Sequence, residues 1–320
     1  MVYFSHEVMK SYLEYMKEIE IVKKMIEENQ FEADVFLSIL RSFGEDIALI
    51  PLLLLKRQKI IRSRINDKKD LFYEVSDLSY PPSHCVTHTD RASLKGHPMF
   101  YASVFTKDAE KTGAIPRIIS AMETLSILKE VNTYQHCIFT QSVWRVKEDI
   151  HLFSFPISEN YKRACSELSM FREGWETYCK DNYSKNSIEF FSFIGDLMAT
   201  PGSSCIYEVT ATCVDFIIRN FNFEGIVYPS VPTEGEGLNI CLTPKVVDMK
   251  INFEGAVAET VIRNDMESTI ESFAHAQMIS PTSFNWKVTE YGKRLMEMTG
   301  GYPPFKENDE VILAPAYRMK

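Results

Sequence analysis

The residues best suited to chemistry are Arg62 and Arg64 in IIRSR, Arg91 in THTDRASLKGHP, Glu123 within AIPRIISAMETLSIL, and Ser230 at the end of GIVYPSV. Each sits at the end of an apolar element or in a loop beside one. Strand alternation puts Arg62 and Arg64 on one face. Guanidinium groups hold phosphate or carboxylate oxygens through paired hydrogen bonds. A carboxylate such as Glu123, set among apolar residues, can stabilise developing positive charge. Ser230 closes a β-branched and aromatic run punctuated by Gly225 and Pro229, which stands its hydroxyl at a strand terminus. Ordinary readings compete with each. Strand arginines are usually solvated or salt-bridged, a helical glutamate often lies at the margin of an apolar stripe, and serine is a common turn residue. No spacing rule forces the set together.

The elements that must position these residues alternate between helix and strand without a regular βαβ rhythm, which predicts an α+β fold. Residues 5–28 read as an amphipathic helix with Met9, Leu13, Met16, Ile19 and Val22 on one side, and 31–43 as a second helix stopped by Gly44. The run LIPLLLLKRQKIIRSRI reads as a further helix leading into a strand near Ile60. These features predict a helical N-terminal segment over 1–55 and a main domain over 56–320. Within the latter, strands are expected at 99–105, 136–146, 150–155, 225–231, 238–243, 246–253 and 256–263. Helices are expected at 114–129, with Pro116 in the first turn, over 158–200, at 205–221 and near 265–276.

Composition is that of a folded globular protein, 45% hydrophobic and 25% charged, which excludes disorder of the low-hydrophobicity kind. The net charge of −9 argues against a general nucleic-acid binder. Seven scattered cysteines without a CxxC suggest neither a disulfide framework nor a zinc ribbon, and a reducing cytoplasm is the expected home. The N-terminus lacks a signal-peptide pattern, and the apolar run 47–55 holds a proline and is too short to span a bilayer. His84, Cys85 and His88 in SHCVTH are a candidate metal set, but they bring no evident fourth ligand, and no metal is expected.

Read in order, the chain resembles the RES domain family, named for its arginine, glutamate and serine. The resemblance rests on an early arginine after an apolar run, IIRSR, and on an arginine loop ahead of Gly-x-Pro and an aromatic strand, TDRASLKGHPMFYAS. It continues with a glutamate in the next helix, ISAMETL, and ends on GIVYPSVPTEGEGLN, with Tyr228, Ser230 and Asn239. It covers residues 60–245, and GIVYPS with its trailing asparagine is the most specific piece. Two positions depart from the pattern: Asp90 stands where the family carries glycine before the loop arginine, and Ser93 replaces an aromatic or asparagine.

The resemblance implies an ADP-ribosyltransferase-like fold and an enzyme that degrades NAD+, by hydrolysis or phosphorolysis, as a toxin of a toxin–antitoxin pair. NAD+ is then a substrate rather than a cofactor, and an Xre-type antitoxin is the expected partner. Apart from the resemblance, the helix at 5–28 offers a surface for a second copy of the chain. The resemblance makes Glu123, Arg62 and Ser230 catalytic and gives Arg91, Tyr101, Arg64, Tyr228 and Asn239 to substrate binding. No histidine is placed by motif to activate Ser230, so it is expected to donate to phosphate or ribose rather than to act as a nucleophile. The same residues would serve a transferase that moves ADP-ribose to a macromolecule. A RES-like interaction module without catalysis, using the N-terminal helices as a docking surface, is the third reading.

Overall fold

The computed structural model describes residues 6–66, 71–105, 115–125, 135–156, 177–178, 181–235, 237–264 and 267–299. Among the described residues the ten strands are β1 (Ile50–Leu54), β2 (Lys59–Ile65), β3 (Phe100–Val104), β4 (Gln135–Val146), β5 (Ile150–Ser154), β6 (Gly225–Pro229), β7 (Leu238–Leu242), β8 (Ile251–Asn264), β9 (Glu267–Met278) and β10 (Phe284–Val288). Seven helices among the described residues are α1 (His6–Glu27), α2 (Ala33–Ser42), α3 (Pro116–Thr124), α4 (Lys185–Met198), α5 (Ser204–Phe221), α6 (Pro244–Lys250) and α7 (Glu290–Thr299). The strands form one sheet in the order β1-β5-β6-β7-β3-β2-β4-β8-β9-β10. Among the described strands only β5 and β6 pair in parallel. This is the α+β architecture expected from the sequence.

Strand alternation divides the core between the two faces of the sheet. On one face Ile226 and Tyr228 of β6 and Cys241 of β7 pack with Ile19 and Val22 of α1, Phe36 of α2, Phe190 of α4 and Val214 of α5. On the other, Val227, Ile240 and Leu242 join Ile60, Phe100, Trp144 and Phe284. Every residue of β6 is buried, so GIVYP is apolar throughout rather than alternating. α3 packs over β2 and β3, with Ala121 and Leu125 against Phe139 and Val261.

Several expectations differ from the structure. The run after Leu49 is strand β1, not helix. It pairs with β5 along its whole length, and its Pro51 is tolerated because β1 lies at the edge of the sheet. The segment 1–55 is therefore not helical to its end. Residues 246–250 belong to α6, which Pro244 starts from the first turn, and the strand begins only at Ile251. Residues 267–278 form β9 rather than a helix, because β8 and β10 flank the segment and pair with it on both sides. Tertiary pairing overrides local helix propensity there. Of the expected helix over 158–200, only 185–198 forms α4. It starts afresh at its N-cap Ser184, because the extended backbone of Ser184 and the bend at Tyr183 interrupt the helix. Residues 158–176 and 179–180 of that stretch, and residues 126–129 of the expected helix over 114–129, lie outside the described residues. No helix among the described residues is long and apolar enough to cross a membrane.

Candidate functional site

The pairing between β2 and β3 holds only two rungs, Ile60 with Val104 and Ile61 with Ser103. Past them the strands part, β2 continuing with β4 alone as far as Ile65. A cavity of about 540 Å³ opens at this parting. Its walls are Arg62 of β2, Tyr101 and Ser103 of β3, Ser120, Glu123 and Thr124 of α3, the loop residues Asp90 and Arg91, Pro201 and Gly202 before α5, and Tyr228 and Asn239 of β6 and β7. The volume is within the ~300–1,000 Å³ usual for small-molecule sites.

Glu123 is held from the sheet. Ser103 Oγ donates to Asn239 Oδ1 at 2.7 Å, and Asn239 Nδ2 donates to Glu123 Oε1 at 2.7 Å. The serine fixes which way the amide faces, and the amide fixes the carboxylate. Both Ser103 and Asn239 are buried and face each other across the β3–β7 ladder. The loop Asp90–Ser93 is fixed from the same strand. Tyr101 donates its hydroxyl to Ser93 Oγ at 3.0 Å and accepts from the Ala92 N–H at 3.1 Å. Burial chiefly, and then the neighbouring Cys241 and Tyr228, push the Tyr101 phenol well above its ordinary pKa, so it stays a donor. Tyr228 is likewise raised, first by burial and next by the charge of Glu123.

The two arginines carry the positive charge. Arg91 Nη1 donates to the carbonyls of Leu197, Met198 and Thr200, at 3.2, 2.6 and 2.9 Å. It thereby closes the C-terminus of α4, where a cation suits the helix dipole. Its guanidinium also lies over the Tyr207 ring at 5.3 Å, and Gly202 lets the intervening loop approach that ring, since a Cβ there would meet Tyr207 Cε1 at 2.4 Å. Arg62 Nη1 donates to the Tyr101 carbonyl at 2.9 Å, just past the last β2–β3 rung. Burial first, and then the nearby Arg64 charge, push Arg62 down from the ordinary arginine value to about 10. That shift is on the order of 3 kcal/mol against the charged form. Neither Arg62 nor Arg91 has a carboxylate partner among the described residues, and Arg62 Nε is buried without a hydrogen bond.

The structure brings Arg62, Arg91, Tyr101, Glu123, Tyr228 and Asn239 to one cavity, and leaves Arg64 and Ser230 off its walls. Arg64 donates to the Asp77 carbonyl and lies over the Phe72 ring at 5.0 Å, a structural use. Ser230 is fully buried. Its backbone starts the turn after β6, donating to the Gly237 carbonyl at 2.8 Å and accepting from the Gly235 N–H at 2.9 Å. Its Oγ has no hydrogen-bond partner among the described residues, and the wall is made instead by the next two residues, Val231 and Pro232. A buried hydroxyl with no partner costs ~1–3 kcal/mol. Ser230→Ala is therefore expected to leave chemical unfolding unchanged or shift it slightly toward stability, and to keep the cavity's activity within about twofold, as substitutions that remove no working contact do. A large loss of activity in a well-folded Ser230→Ala protein would give the hydroxyl a role at the cavity after all.

Several wall residues were not singled out from the sequence, Ser103, Asp90 and Tyr207 among them. Ser103 lies in the strand FYASV, and its alternation with Tyr101 was the signal that puts it on the cavity face. Asp90 was visible only as a departure from a pattern. Tyr207 lies in the first turn of α5, and nothing in its local sequence marks it. The candidate metal set does not assemble: His84 and Cys85 are exposed, and His88 Nε2 pairs with Asp90 Oδ1 at 3.3 Å. No group of three or more His, Cys, Asp or Glu among the described residues is placed to hold a metal ion.

The fold and site define an α+β protein with a polar, arginine-bearing cavity where its sheet divides. The sequence matches no family model and has no significant match among curated proteins.

Proposed function

We propose that the cavity binds NAD+ and cleaves its nicotinamide N-glycosidic bond, as the RES resemblance implies. The observation that carries the reading is the convergence on one cavity of two guanidinium groups without carboxylate partners and one carboxylate held by a buried amide. Arg62 and Arg91 would take the diphosphate, which restores to Arg62 the charge stabilisation that burial removes. The cavity wall offers the Tyr101 and Tyr228 rings as surfaces for the nicotinamide or adenine. The Tyr101 hydroxyl is already engaged with the Arg91 loop, so its part is to hold that loop and present a ring rather than to bond a ribose.

The pyridinium leaving group already carries positive charge, so the bond breaks without a general acid. What remains is to stabilise the oxocarbenium-like ribose, a task for a carboxylate fixed in advance. Asn239 and Ser103 fix Glu123 for it. The ADP-ribosyltransferase-like description of the fold belongs to the same reading, as do a toxin role and an Xre-type antitoxin that covers the cavity mouth. The test is NAD+ consumption by the purified protein, with products separated by chromatography. Release of nicotinamide in step with NAD+ loss is expected. Well-folded protein that leaves NAD+ intact overturns the reading.

A further inference from the structure

The charges on the cavity wall bear on which nucleophile accepts the ADP-ribosyl group. The guanidinium and carboxyl side chains there are those of Arg62 and Arg91, and of Glu123 and Asp90, the last with its pKa raised chiefly by burial. Asp90 is set in place by its backbone, whose N–H donates to the Ser93 carbonyl at 2.9 Å. Its carboxylate pairs with the exposed His88 rather than with the adjacent arginine. One nitrogen of each arginine is already committed, Arg91 Nη1 to three carbonyls at the end of α4 and Arg62 Nη1 to Tyr101. A bound diphosphate engages what is left of both. Around Glu123 the wall is neutral: Ser63, Ser103, Ser120, Thr124 and Asn239 supply hydroxyls and an amide. A second anion entering beside the first would find two carboxylates and no uncommitted cation among the described wall residues. Like charges brought together without compensation are strongly disfavoured in a partly dry site.

We infer that the acceptor is water, and that Asp90 excludes inorganic phosphate as the competing nucleophile. The inference rests on the NAD+-cleaving reading above. In the reaction the bond between the anomeric carbon and the nicotinamide nitrogen breaks, its electron pair passing to the ring, which leaves neutral. The water oxygen bonds to the anomeric carbon, and the proton it gives up passes to the Glu123 carboxylate and then to solvent. The products are ADP-ribose, nicotinamide and one proton.

The experiment is a phosphate titration of NAD+ cleavage by the full chain, with ADP-ribose and its anomeric phosphate ester quantified separately. The wild-type protein is expected to yield ADP-ribose throughout, with phosphate acting at most as an inhibitor competitive with NAD+. Asp90→Asn is expected to raise the share of the phosphate ester at least ~10-fold, the factor that about 1.4 kcal/mol of relieved repulsion yields. Asp90→Glu should return the wild-type partition, which a purely structural role in the loop would not predict. Phosphate ester as the main wild-type product would overturn the inference and leave NAD+ cleavage standing. An unchanged partition in Asp90→Asn would remove Asp90 from it. Absence of any NAD+ cleavage would remove the reading beneath both.

Discussion

Glu123→Ala is expected to lower the rate of NAD+ cleavage at least ~100-fold, the usual cost of deleting one preorganised electrostatic contact. The loss corresponds to roughly 2.7 kcal/mol of transition-state stabilisation. It should fall on kcat with KM little changed, because the carboxylate meets positive charge that exists only as the glycosidic bond breaks. Glu123→Gln is the sharper form of the test. Its amide oxygen can still accept from Asn239 Nδ2, which donates to Glu123 Oε1 at 2.7 Å, so the hydrogen bond survives while the charge goes. Glu123→Gln should unfold close to the wild type, since Glu123 is only partly buried at the cavity wall. Glu123→Ala instead leaves the buried Asn239 amide without its partner and should lose ~1–3 kcal/mol of stability. The measurement is steady-state kinetics beside denaturant unfolding. A Glu123→Gln protein within a few-fold of wild-type kcat would mean that the carboxylate acts through position alone, or that the chemistry lies elsewhere.

Much of this site is legible in the sequence, for a physical reason. Glu123, Tyr228 and Asn239 lie within strongly patterned elements, where apolar spacing fixes the element and the element fixes the face. GIVYP is buried at every position and LNICL likewise, so a polar residue such as Asn239 inside the second run has to be satisfied by something specific, and Glu123 is that partner. Alternation was a poorer guide for Arg62 and Arg64. They share one face of a strand in principle, and both lie past the last β2–β3 rung at Ile61, yet they are put to different uses. Arg62 reaches the cavity from the gap, and Arg64 is spent on Asp77 and Phe72. Strand pairing over long sequence separations sets that gap, and local sequence does not report it.

Ser230 shows the opposite failure. The strand end was correctly read, but a strand terminus inside the core buries its first turn residue rather than exposing it. The edge strand β1 and the hairpin strand β9 were misread for a related reason. Their partners, β5, β8 and β10, decide their conformation, and apolar runs of this length suit either helix or strand when taken alone.

Gly237→Ala is expected to cripple the site from a residue that touches no substrate. A Cβ at this position would stand 2.2 Å from Ile119 Cδ1 and 2.7 Å from its Cγ1. Ile119 is itself fully buried, so its side chain cannot swing into solvent, and the strain must be met by moving α3 off the β6–β7 turn. Overpacking of this kind costs ~1–3 kcal/mol of stability. The functional cost is larger, because α3 carries Glu123 one turn beyond Ile119, and a displacement near 1 Å can cost ~100-fold in rate. Gly237 keeps an ordinary backbone conformation, as no positive φ is found there, so the penalty is steric and removable. Ile119→Ala deletes both contacted atoms. The double variant should recover activity relative to Gly237→Ala even though Ile119→Ala alone leaves a cavity costing ~2–5 kcal/mol. That non-additive coupling is the readout, taken from kcat and urea unfolding of the two single variants and the double. Wild-type kcat in Gly237→Ala would show that α3 is not held by this contact. Strictly additive losses would show that Gly237 and Ile119 act apart, and the placement of Glu123 would then rest on Asn239 alone.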